Sequence, residues 1–248
     1  MIIAWIIVFS LFGSIGAIAG AGLLLVFPAM IRRKVVPYLI SYASGTLLGA
    51  AFLGMIPNGL RILEARLMLM SMLGGLILFF ILEKLVIWRH CHERDCEVHS
   101  QAAPLILIGD AFHNFIDGIV IAAAFVTSIP LGVTVSIAVI AHEIPQEVGD
   151  FAILLESGYS RTRALMLNSL SAATTLPGAV LAYFWLAEVR SMMPYVLAIS
   201  AASFIYIALA DLIPSLHRRV SFAGSIQQTA LLILGIATIA FLNGGQAA

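Results

Sequence analysis

Asp110–Phe125 reads DAFHNFIDGIVIAAAF, and Ser136–Leu155 reads SIAVIAHEIPQEVGDFAILL. Each stretch is an apolar helical segment that carries metal-type side chains near its middle. Five of the chain's 13 carboxylates lie between Asp110 and Asp150: Asp110, Asp117, Glu143, Glu147 and Asp150. One ionisable side chain at mid-bilayer costs about 2.5–3.5 kcal/mol on insertion scales, so five cost roughly 12–17 kcal/mol without compensation. No Lys or Arg occurs in either segment to supply it. A cation bound in a wet, protein-lined path is the simplest compensation.

The rest of the chain supports the membrane reading. Its 248 residues are 61% hydrophobic and 10% charged, where a soluble domain carries about 25% charged residues. Eight apolar spans are readable, each near the ~20 residues that cross a bilayer. They run Ile2–Met30, Val35–Pro57, Leu67–Arg89, Pro104–Ser128, Leu131–Leu155, Arg163–Ala187, Met192–Leu216 and Gly224–Asn243. The expected fold is all-α: a single transmembrane domain over residues 1–248, with a polar cytoplasmic loop at about 90–103. The formal net charge is zero, and no basic face invites nucleic acid. The N-terminus is apolar from Met1 with no basic n-region, so no cleavable signal peptide is expected.

Loop charge sets the orientation. Arg32, Arg33, Lys34, Lys84, Arg89, Arg94, Arg161, Arg163, Arg218 and Arg219 follow the odd-numbered spans, while Arg61, Arg66 and Arg190 lie on the other side. Ten basic residues against three place the odd-numbered loops in the cytoplasm and both termini outside. The Ile-Pro pairs of AFLGMIPN (Ala51–Asn58) and ALADLIPS (Ala208–Ser215) fall in register. With spans two and seven running oppositely, this predicts an inverted repeat of spans one to three and six to eight around a central pair, spans four and five. Gly13, Gly16, Gly20 and Gly22 of span one, with Gly118 and Gly149, are expected to let helices approach closely.

Helical periodicity groups the polar residues of the central pair. Asp110, His113, Asn114 and Asp117 share a face of span four. On span five, His142 and Gln146 form one stripe and Glu143, Glu147 and Asp150 another. Together they offer ligands for two neighbouring cations. Pro145 removes a backbone donor and predicts a kink. Imidazole with carboxylate and amide oxygens suits zinc, iron or manganese. Asp211 in span seven is a further polar residue at depth. The loop RHCHERDCEVH (Arg89–His99) carries His90, Cys91, His92, Cys96 and His99, a weak metal-gathering set whose spacing matches no zinc finger.

His113-Asn114-Phe115-Ile116-Asp117-Gly118 resembles the fourth-helix motif His-Asn-x-x-Asp/Glu-Gly of the ZIP (Zrt/Irt-like protein) metal transporters. His142-Glu143-Ile144-Pro145-Gln146-Glu147-Val148-Gly149-Asp150 resembles His-Glu-x-Pro-His-Glu-x-Gly-Asp, the fifth-helix motif of one large subfamily. The similarity extends over essentially the whole chain. It implies uptake of divalent metal (zinc, iron, manganese or cadmium) into the cytoplasm across the plasma membrane, a binuclear site, and a homodimer. By motif position His113, Asp117, His142 and Gln146 surround the main ion, and Asn114 and Glu143 face a second, with Asp117 bridging. Glu147 and Asp150 belong to the motif, and Asp110, Asp150 and Asp211 are placed along the pathway.

Two departures stand out. Gln146 replaces the subfamily's usual His, which weakens the case for strict zinc preference. Ala50 and Gly54 stand where relatives often have Asp and His, which makes the outer pathway less polar. Two rival readings are an intramembrane metalloprotease, which needs a second His where Gln146 stands, and a metal sensor that binds without transporting.

Overall fold

The computed structural model describes residues 2–88, 99–188, 190–216 and 222–244. Among them there is helix and no strand. Eight helices are long and apolar enough to cross a membrane: Ile2–Leu23, Lys34–Leu60, Ala65–Leu82, Leu107–Thr127, Ile129–Phe151, Arg161–Trp185, Met193–Ala210 and Phe222–Asn243. The chain is thus a multi-pass membrane protein, and these helices are spans one to eight below. His90, Cys91, His92 and Cys96 lie outside the described residues, as do the side chains of His99, Pro145 and Asp211.

Some boundaries differ from the sequence reading. Span one does not reach Met30, because its helix ends at Val26 and the next begins at Ala29. Pro28 there is extended, with φ −54 and ψ 148, which a proline ring imposes readily and a helix cannot continue. The helix holding span four starts at His99 rather than Pro104, inside the stretch read as polar loop. Span six is not continuous: it runs Arg161–Ala172, turns, and resumes at Thr175–Glu188. Pro177 accounts for the break, since its ring has no N–H to give the Ala173 carbonyl. The helix through Pro145 is unbroken from Ile129 to Glu156.

The in-register Ile-Pro pairs have a structural counterpart. Span two widens into a π turn at Ala50–Met55, immediately before Ile56-Pro57. Span seven does so at Ile207–Leu212, immediately before Ile213-Pro214. The Ile56 N–H bonds the Ala51 carbonyl and the Ile213 N–H bonds the Ala208 carbonyl, each five residues back. A wider turn moves the carbonyl four residues before each proline out of the way of its ring. Packing follows the same symmetry: span two lies on span eight as span seven lies on span three, and span four lies on span six as span five lies on span one.

The central pair is a tight hairpin. Ser128 alone separates the helices His99–Thr127 and Ile129–Glu156. Pro130 suits a helix start, and a Cβ on Gly132 would run into the Phe125 ring. Span five ends at Gly158, whose φ of +87 is the left-handed cap that glycine takes without penalty. Ser160 then caps span six by accepting the Arg163 N–H at 3.3 Å.

Span six is pressed backbone to backbone on span four. A Cβ on Gly118 would collide with the Thr175 carbonyl, and one on Gly178 with the Phe115 carbonyl. Of the other glycines read as close-approach positions, Gly20 meets Ile144 at 3.2 Å and Gly13 makes only ordinary contact at 3.9 Å. Gly16, Gly22 and Gly149 have nothing within 4 Å and do not serve that role. The two glycine classes give a test. Gly178→Val forces the span four–span six contact open, and overpacking of this kind costs about 1–3 kcal/mol or more. We expect it to lower the melting temperature of the detergent-purified protein clearly, and Gly149→Ala to leave it unchanged, both read by thermal-shift size-exclusion chromatography.

Candidate metal centre

The hairpin sets the depth of the site. His113 lies 15 residues before Ser128 and His142 lies 14 after it. At 1.5 Å per residue both sit about 21 Å from the turn, so they meet at one level. Asp117 is one turn from His113, and Glu143 follows His142. The four side chains converge, with one ligand atom from each lying within 4.8 Å of all the others.

The distances are those of a closed ligand set. His142 Nε2 stands 3.2 Å from Asp117 Oδ2 and 3.4 Å from Glu143 Oε1. His113 Nε2 is 3.4 Å from Glu143 Oε1, 3.8 Å from Asp117 Oδ2 and 3.2 Å from His142 Nε2. Ligands about 2.0 Å from a tetrahedral centre stand about 3.3 Å from one another. Four of these five separations, at 3.2–3.4 Å, are close to that spacing. His142 Nδ1 lies 3.0 Å from the Ala138 carbonyl, a pairing that puts the ring proton on Nδ1 and leaves the Nε2 lone pair facing the cluster.

Burial makes the arrangement costly without a cation. Asp117, His142 and Glu143 are buried, and only His113, with its side chain 21% exposed, reaches the surface of the bundle. All four carboxylate oxygens of Asp117 and Glu143 are buried without a hydrogen-bond partner. Buried charge must be paired or coordinated. Two neutral imidazoles with two carboxylates carry two negative charges, which one divalent cation neutralises.

Between this level and the hairpin the interior is mostly apolar, its buried hydroxyls Thr134 and Ser136 being bonded to Asn243 Oδ1 and to the Gly132 carbonyl. Ile121, Phe125, Leu131, Val135 and Phe204 are fully buried there, and the Phe204 ring sits edge-on to His142 at 6.0 Å. On the opposite side polar residues continue. Asp110 Oδ1 accepts from Asn114 Nδ2 at 3.0 Å and from Gln146 Nε2 at 3.1 Å. Asn114 Oδ1 accepts from Thr175 Oγ1 at 3.0 Å. Asn168 Nδ2 donates a very short bond to Glu147 Oε2.

The residues singled out in the sequence therefore divide. His113, Asp117, His142 and Glu143 are brought together. Gln146 and Asn114 turn to Asp110, and Glu147 turns to span six. Asp150 is half-buried one turn beyond Glu147. Sequence reasoning passed over Asn168, Ser171 and Thr175. Their signal was legible in part: Asn168 and Ser171, three residues apart, share a helix face, whereas Thr175 lies beyond the break.

A binding test follows from this chemistry. His142→Ala removes one imidazole and should weaken zinc binding to purified protein at least 10–100-fold by isothermal titration, the range that even loss of a supporting residue produces. Affinity of the unaltered protein should fall as pH drops, because imidazole and carboxylate bind metal only when deprotonated. A pH-independent affinity would contradict the ligand set.

Comparison with known proteins agrees with this chemistry. Residues 89–243 match the family model described as ZIP Zinc transporter. The zinc transporter ZIP13 of Pongo abelii is 30% identical over 220 residues, covering 83% of this chain and 66% of that protein. The zinc transporter zipt-7.2 of Caenorhabditis elegans is 37% identical over 139 residues, and ZIP4 of Mus musculus 43% over 112 residues. These alignments take in 54% and 45% of this chain but only 30% and 17% of the relatives, so the chain spans a minor part of their length. The names these relatives carry are those of transporters, not of enzymes. With a family model matched over more than half of its residues, the chain belongs to the ZIP zinc transporter family.

Proposed function

We propose that this chain carries divalent transition-metal ions, zinc among them and iron, manganese or cadmium as further substrates, across the membrane into the cytoplasm. One observation carries the reading: four converging ligands, three of them buried, their carboxylate oxygens facing two imidazoles and making no hydrogen bond, within two membrane-spanning helices that contain no Lys or Arg. The zinc-transporter relatives support zinc as a substrate. The excess of basic residues in the odd-numbered loops supports termini outside and a cytoplasmic side at the start of span four.

In this reading His113, Asp117, His142 and Glu143 grip the substrate ion. Gln146 and Asn114 border it, and motif position makes them ligands of a binuclear centre once they leave Asp110. Residues 1–248 act as one transport domain in the plasma membrane, working as a homodimer as the motif resemblance implies, and the fifth-helix motif assigns the chain to the subfamily that carries it. The apolar layer towards the hairpin favours alternating access over an open pore. The ion would enter from outside after the symmetric halves rock, and leave on the polar side. Proton uptake by the ligands assists release, since they hold metal only when deprotonated. Neither rival reading has comparable support: Gln146 stands where a metalloprotease needs its second imidazole, and the relatives' names point to transport rather than sensing.

Uptake of Zn²⁺, Fe²⁺ and Mn²⁺ into proteoliposomes tests the proposal. The unaltered protein should show saturable flux, which His113→Ala, Asp117→Ala should abolish. Gln146→His should narrow selectivity towards Zn²⁺. Flux that survives the double substitution would remove the site assignment, and binding without flux would return the sensor reading.

A further inference from the structure

Outside the quartet, and apart from the Ser10 hydroxyl of span one, three buried oxygens from three different helices have no hydrogen-bond partner: Asp110 Oδ2, Glu147 Oε1 and Asn168 Oδ1. Their side chains are 5%, 0% and 2% exposed. In each case the neighbouring polar atom is committed, which fixes the free oxygen. Asp110 Oδ1 holds Asn114 and Gln146. Glu147 Oε2 holds Asn168 Nδ2, which also donates to the Glu147 carbonyl at 3.3 Å. Turning the Asn168 amide over would set its oxygen against two acceptors, so the orientation with Oδ1 free is the one the network requires. The Ser171 hydroxyl donates to the Asn168 carbonyl at 2.9 Å, which fixes the turn that carries Asn168. Gln146, next to Glu147 in span five, joins Asp110 of span four to the same polar group. The free atoms are all acceptors, buried, and contributed by spans four, five and six.

We infer that Asp110, Glu147 and Asn168 form a second cation site, made only of oxygen ligands and distinct from the His-containing quartet. Oxygen-only donors suit Mn²⁺ and other hard or borderline divalent ions, whereas imidazole suits zinc. The site's level follows from the hairpin. Asp110 lies 18 residues before Ser128 and Glu147 lies 19 after it, which puts both about one helical turn, roughly 5 Å, beyond the quartet. As a binding site it stands on these contacts alone. As a station through which the substrate leaves, it rests on the transport reading above. An ion then steps from a mixed nitrogen–oxygen set to a weaker oxygen set on the cytoplasmic side, and multi-site conduction needs such graded holding.

The test uses the full chain in detergent micelles, with Mn²⁺ as probe and bound ion read by electron paramagnetic resonance. In a His113→Ala, His142→Ala background one Mn²⁺ should still bind. Adding Asp110→Asn and Glu147→Gln should weaken it at least tenfold. Asn168→Asp, which adds a carboxylate where an amide oxygen stands, should tighten it severalfold, and this gain cannot arise from misfolding. Loss of all Mn²⁺ with the two imidazoles overturns the inference, and so does an Asn168→Asp variant that binds no more tightly. Its failure is separable from failure of the transport proposal: Mn²⁺ held here without flux in vesicles removes only the latter, and flux without Mn²⁺ here removes only this site.

Discussion

Two carboxylates and two imidazoles meet between two membrane-spanning helices that contain no Lys or Arg. The negative charge gathered there is the constraint on which the rest of the structure depends. In water Asp117 and Glu143 would be solvated. Buried beside two imidazoles, they hold their positions because the helices around them are fixed by other contacts. The fold supplies the rigidity, and a divalent cation would supply the missing charge.

That rigidity has identifiable sources. A one-residue hairpin sets His113 and His142 at equal distance from the turn. The backbone contact at Gly118 and Gly178 clamps span six against span four, bringing Asn168, Ser171 and Thr175 to the polar face. Around this centre the outer spans pair symmetrically, and each of two such spans, two and seven, carries a proline-linked π turn. A wider turn is locally less stable than an α turn and is a natural place to bend. Symmetric bends in oppositely directed helices fit a bundle whose halves exchange conformations, and the apolar layer above His142 is what such an exchange has to open.

Much of this was legible in the sequence, for physical reasons. Eight apolar stretches of bilayer length admit little but helices, because backbone groups in lipid must bond within their own segment. The i, i+4 pair His113 and Asp117 announced a shared face on span four. The Ile-Pro register of spans two and seven pointed to the correspondence that the π turns express. Partners were harder to read. Helical periodicity placed Gln146 with His142 and Glu147 with Glu143, but it says nothing of what a neighbouring helix offers. Asp110 drew Gln146 away, and Asn168 drew Glu147. Gly149 looked like a packing residue from its composition alone, yet nothing faces it. The break in span six was foreshadowed by Pro177, and its use was not: Thr174 donates to the Ala111 carbonyl at 2.6 Å and Thr175 to Asn114, which joins the break to the centre.

The central claim is that the buried quartet is a cation site with two imidazole and two carboxylate ligands. X-ray absorption at the zinc edge of zinc-loaded, purified protein tests it most directly. The account predicts a shell of four nitrogen and oxygen ligands at about 2.0–2.1 Å, two of them with the multiple-scattering signature of imidazole. A sulfur shell at about 2.3 Å, placing the ion on Cys91 and Cys96, or a shell without imidazole would contradict it.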